Sequence, residues 1–155
     1  MGQLFLVLVS ISLSAALMLS TISYLNPGAG YASKWADRME PGVMRLRDGF
    51  SDYVDATGFA PAAHADFIPE YTFLPPTPQG LTWGFGSAHG GYYSCASGTA
   101  SEPIVRALVI LERRQSPGSF ILNDSCGERT ASLPAPGSNG QTALAVTVWL
   151  TGYSE

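Results

Sequence analysis

What most limits the fold of this chain is the position of its charges. No Asp, Glu, Lys or Arg occurs from Met1 to Ser33, and all twenty lie between Lys34 and Glu155. Within the charge-free part, Leu4 to Leu25 reads LFLVLVSISLSAALMLSTISYL, apolar apart from Ser, Thr and one Tyr. An α-helix of that length spans roughly 33 Å, enough to cross a hydrocarbon core of about 30 Å. Its serine and threonine hydroxyls can bond the carbonyl one turn back, so they do not spoil a span. Tyr24 stands where an interfacial aromatic would, and Asn26-Pro27-Gly28 is expected to break the helix. Residues 1–27 are therefore expected to form a single transmembrane anchor in contact with membrane lipid. A cleaved signal peptide would have a basic n-region and a shorter apolar core. This chain has neither, although Gly30-Tyr31-Ala32 could serve as a small-residue cleavage site. A buried core helix is a third reading, but 33 uncharged residues at one end are unusual in a soluble domain. Lys34 and Arg38 after the span weakly favour keeping the following residues in the cytoplasm.

Beyond the anchor, Trp35, Met39, Val43, Leu46, Phe50 and Val54 recur at steps of 4, 4, 3, 4 and 4. That spacing puts all six on one face of an amphipathic helix. The helix is expected over residues 34–57, with Pro41 starting or interrupting it and Gly58 just past its end. Residues 28–58 thus read as a stalk. The apolar face either packs on the chain's own domain or docks on a partner helix, and these six residues are the candidates for partner-helix packing.

Residues 59–155 read as a small disulfide-capable α+β domain. Phe59 to Gly80 is a proline-rich loop, expected to wrap the domain with Phe67, Tyr71 and Phe73 as anchors. Leu81–Phe85 and Gly91–Ala96 are expected to form a hairpin of an antiparallel sheet around Gly86–Gly90. Ser101-Glu102-Pro103 starts a helix whose buried face is Ile104, Ala107, Leu108 and Leu111. Arg113 and Arg114 fall in its last turn, and Pro117-Gly118 end it. A strand follows over Ser119–Asn123. The longest strand is expected over Thr142–Tyr153, apolar on both faces and therefore central or facing a partner.

The two cysteines, Cys95 and Cys126, each lie near the end of an expected strand. An even pair beside a membrane anchor favours a disulfide in an oxidising compartment, against two independent buried thiols. A bridge would point to a domain outside the cytoplasm, against the charge count.

The formal net charge of −4, with no basic block, argues against nucleic acid as a partner. Only His64 and His89 could join the cysteines as metal ligands, and no paired spacing links them, so no metal is expected. His89-Gly90-Gly91 is like an esterase oxyanion loop, but the chain lacks the Gly-x-Ser-x-Gly elbow such a loop serves. There is no Walker loop and no dinucleotide fingerprint. Asp52 and Asp55 suit a solvated helix face. The expectation is a protein that is not an enzyme and carries no cofactor.

An uncharged span running into an amphipathic helix, then a small sheet domain with a Cys pair, resembles the layout of type IV pilins and their minor relatives. Mature pilins usually carry Glu at position five, where this chain has Phe5. The chain more closely resembles the short inner-membrane PilM family of conjugative, thin-pilus type IVb systems. The likeness rests on Met1-Gly2 leading into the span and on Met44-Arg45-Leu46-Arg47-Asp48-Gly49-Phe50-Ser51-Asp52-Tyr53 after it. It continues through Leu74-Pro75-Pro76 before Trp83, Gly91-Tyr92-Tyr93, the helix from Ser101, and Leu133-Pro134 before the Val-rich strand. This resemblance implies a structural part of a pilus biogenesis apparatus, anchored once in a bacterial inner membrane with its C-terminal domain in the periplasm. It implies pilus-assembly or pilin proteins as partners, with an oligomer possible. Two alternatives stay open: a minor pilin or pseudopilin within the filament, and an anchored periplasmic binding module or enzyme with a site in the Phe59–Gly91 loops.

Overall fold

A computed structural model of the chain describes residues 27–151, together with Ser10, Ile11 and Ser14. The expected span Leu4–Leu25 otherwise lies outside the described residues. Ser14 does donate to the Ser10 carbonyl at 2.8 Å, one turn back. Among the described residues, no helix is long and apolar enough to cross a membrane.

Helix α1 runs from Pro27 to Thr57 without a break. Pro27 opens it, a position where a missing N–H costs nothing. Pro41 neither starts nor interrupts the helix, contrary to expectation. A mid-helix proline costs about 3 kcal/mol. The buried side chains Met39 and Val43 flank it and hold both halves in one core. Gly58 ends the helix at φ +75°, its N–H donating to Val54 O at 2.8 Å.

After α1 the chain makes one short helix, α2 (His64–Phe67), where sequence suggested only loop. Two backbone N–H groups, of Ala62 and Ala63, donate to the Asp66 carboxylate and fix this turn. Residues 72–78 then form a strap along α1. Phe67 is fully buried and Tyr71 half-buried, but Phe73 is 70% exposed and anchors nothing.

The sheet has four strands: β1 (Leu81–Ala88), β2 (Gly91–Ser101), β3 (Phe120–Asn123) and β4 (Gln141–Trp149). Their order is β1-β2-β4-β3, and every neighbouring pair is antiparallel. β1 and β2 are longer than their sequence signals. Gly86, which looked like the start of a five-residue turn, sits inside β1, where the Tyr93 ring leaves no room for a side chain. The real turn is His89-Gly90, with φ of 48° and 70°, the paired positive values a tight two-residue hairpin needs. The longest strand is β2 rather than the C-terminal one. Ser101 ends β2 and stands before the first turn of α3 (Glu102–Arg114) without a side-chain capping bond, and Ile104, Ala107, Leu108 and Leu111 of that helix are buried as expected.

Both long helices lie on one face of the sheet. Met39, Val43, Leu46 and Phe50 of α1 share a core with Leu108 and Leu111 of α3, and with Leu144, Val146 and Val148 of β4. Helix α1 is therefore part of the domain's packing rather than a separate stalk. The same packing corrects its proposed role as a docking helix: these four residues are at most 3% exposed. Trp35 and Val54 are half-buried against the same cluster. None of the six presents a free apolar stripe to a partner.

Candidate functional site

The sheet face away from the helices is built around the cysteines. Strand alternation puts Cys95, Ala145, Thr147 and Trp149 on this back face. Cys95 and Cys126 form a disulfide with Cα atoms 5.8 Å apart. Cys95 lies in the middle of β2, and Cys126 lies in the loop after β3. The bridge therefore draws residues 124–132 over the β4 side of the sheet. Polar contacts complete the closure. Gly127 N–H donates to Thr147 Oγ1 at 3.0 Å, and the Trp149 indole N–H donates to Glu128 O at 3.3 Å. The Arg129 guanidinium stacks 3.5 Å from the centre of the Trp149 ring, which also meets Tyr93 edge-on.

Arg47 has a role that sequence did not show. It leaves α1 beside the core and gathers three acceptors: Trp149 O at 3.1 Å, Gln115 Oε1 at 3.1 Å and Ser119 O at 2.7 Å. One planar guanidinium thus ties α1 to the end of α3 and to both strands that follow it. Burial pulls its pKa below the ordinary arginine value, partly offset by Asp48. It lines a depression of about 200 Å³ with Ser119, Arg129 and Trp149. The opposite flank of α1 is packed by the strap. Gly49 meets Thr72, Gly42 meets Pro75, and Thr72 Oγ1 donates to Arg45 O at 2.8 Å.

His64 is the residue that comes nearest to chemistry. Its Nε2 lies 2.7 Å from Ser94 Oγ. Ser94 is fully buried, so its hydroxyl has no opening through which to attack a substrate. The ring is wedged against Phe67 and Phe85, and burial lowers the His64 pKa. The pair therefore locks α2 onto the sheet. His89 sits in the hairpin turn, and both cysteines are bridged, so neither can pair with it as a thiol nucleophile. Among the described residues no group of His, Cys, Asp or Glu is arranged to hold a metal ion.

Among the described residues, α3 presents an apolar surface. Val105, Val109 and Ile110 of α3 form a depression of about 320 Å³ with Ala32 of α1 and Leu133, and its lining is almost wholly apolar. Leu133 is 51% exposed. The signal was present in EPIVRALVILERR, which has more apolar residues than one buried stripe requires. Searches among protein families, curated proteins and solved structures found no match to this chain.

Proposed function

We propose that this chain is a structural component of a type IV pilus biogenesis apparatus, anchored in the inner membrane and contacting other pilus proteins from the periplasm. The observation that carries the reading is the disulfide, which closes the back of the sheet and suits an oxidising compartment. The charge-free segment before Pro27 supports an anchor. The apolar depression on α3 supports a contact with another protein, since exposed apolar patches mark interaction surfaces. Deleting the gene should abolish piliation and mating; unchanged piliation would end this proposal. Thiols that label freely in acid-quenched cells, without reductant, would end the periplasmic assignment.

A second reading is favoured by one observation: a long helix packs against one face of a four-stranded antiparallel sheet, in keeping with the pilin-like layout described above. On that reading the protein enters the filament as a minor pilin. N-terminal sequencing separates the two, because a trimmed and methylated N-terminus means pilin and an intact Met1 means scaffold.

A further inference from the structure

The two edges of the sheet are treated differently. β3 has only four residues, and the outward N–H and C=O of Leu122 are both occupied. Leu122 N–H donates to Glu112 Oε1 at 3.1 Å, Ser132 N–H donates to Leu122 O at 2.9 Å, and Asn123 Nδ2 donates to Thr130 O at 2.8 Å. β1 has eight residues, and its ladder runs without a bulge from Leu81↔Gly98 to Ala88↔Gly91. The two-residue turn makes Ala88 and Gly91 a hydrogen-bonded pair, so Thr82, Gly84 and Gly86 also direct their backbone groups to β2. The bond from Thr99 N–H to Gly80 O has the same phase. Alternation then turns the N–H and C=O of Trp83, Phe85 and Ser87 outward. Among the described residues no hydrogen bond meets these groups. In the same strand the Trp83 indole N–H is buried without an acceptor.

Proteins blunt a free edge with charge, proline, a bulge or a short strand. Leu81–Ala88 reads LTWGFGSA and has none of these. We propose that β1 is a docking edge that takes an extended segment of a partner protein as a fifth strand. Outward amides and carbonyls in alternation are matched only by another extended backbone. A segment of about eight residues would cover the strand. It would be free of proline at paired positions, and apolar at alternate positions where it flanks Trp83 and Phe85. A second copy of this chain fits poorly. Antiparallel pairing of two β1 strands sets a two-fold axis normal to the sheet. The stripe of α1 from Ala36 to Phe50 meets the helix-side core along its whole length, so the helix lies flat against the sheet, and that axis turns the two Pro27 ends in opposite directions. One bilayer could not receive both. This rejection of a second copy, and the use of micelles and membranes in the test, rest on the anchored reading above.

Hydrogen exchange at single amides tests the edge, on the full chain in detergent micelles and in native host membranes. In micelles the Trp83, Phe85 and Ser87 amides should exchange fast, while Thr82, Gly84 and Gly86 stay protected. In native membranes the three outward amides should slow by about tenfold or more. Ser87→Pro removes only an outward N–H from an exposed residue and should abolish the slowing at Trp83 and Phe85, whereas Ser87→Ala should keep it. Should Ser87→Pro not fold, Gly84→Lys serves instead, because a Cβ there meets only Cys95 O at 3.9 Å. Equal exchange in micelles and membranes would overturn the proposal. Slowing that grows with concentration of the purified chain would also overturn it, in favour of self-pairing. Protection in a strain whose deletion mutant still makes pili would leave the edge standing and remove the pilus assignment.

Discussion

Helix α1 offers a test in which two substitutions of the same kind should act in opposite directions. Gly→Ala inside a helix ordinarily stabilises by up to about 1 kcal/mol. At Gly30 nothing lies within 4 Å of the added Cβ, so Gly30→Ala should gain some of that amount. At Gly49 the added carbon would overlap Thr72 Cβ, with Thr72 Cγ2 at 2.8 Å and Tyr71 O at 3.0 Å. Non-bonded carbons settle near 3.5–4 Å, so the strap would have to retreat by at least about 1 Å. Overpacking of this kind costs about 1–3 kcal/mol. The retreat also breaks the bond from Thr72 Oγ1 to Arg45 O, a further loss of about 1 kcal/mol. Against the helical gain, Gly49→Ala should lose about 1–3 kcal/mol net. At roughly 4 °C per kcal/mol, its melting temperature should fall by about 4–12 °C. Thermal melts of the full chain in detergent, followed by circular dichroism, measure this. In a Thr72→Gly background, where the overlapping carbon is gone, the penalty should shrink. A Gly49→Ala protein that melts at or above the parent would refute the packing of the strap.

Three further outcomes are expected. Replacing Cys95 and Cys126 by Ala should cost roughly 3–4 kcal/mol for a bridge spanning 31 positions, read from urea midpoints; an unchanged midpoint would mean that the loop is held without the bridge. Arg47→Met should cost about 2–4 kcal/mol, because the Trp149 and Ser119 carbonyls lose their donor, and Arg47→Lys should recover only part of it. His64 has its folded-state pKa below its unfolded value, so between the two the unfolded chain binds more protons. Its contribution is thus fully present above the ordinary histidine pKa and is lost as pH falls through the lowered one. His64→Gln should flatten that stretch of the melting profile, and an unaltered slope would assign the acid sensitivity elsewhere.

The parts legible from sequence were those set by a single period. The α3 stripe, the start of that helix after Ser101 and the two-sided C-terminal strand all follow from local spacing and turn chemistry. The disulfide was legible as a pair of cysteines, though not as a mid-strand attachment, because β2 lengthens only when β4 pairs along it. Pro41 misled because tertiary burial on both sides outweighs a local penalty. Gly86 misled because a glycine needed for close approach looks the same in sequence as one needed for a turn. Whether the α1 stripe met its own domain or a partner could not be settled by spacing, which is identical in both cases. Arg47, the His64–Ser94 bond and the open edge of β1 join positions remote in sequence, and no periodicity marks them.

The placement of the disulfide also bears on how the chain matures. The helix-side core contains neither cysteine, so the two long helices can close on the sheet while both thiols are still reduced. Cys95 would by then be fixed between β1 and β4, with only the segment carrying Cys126 left to swing in. Oxidation would then act as a late latch on a formed sheet, with no choice of pairing to correct. A reducing pulse on the finished protein should accordingly open the back face around Trp149 first, and leave the helices seated.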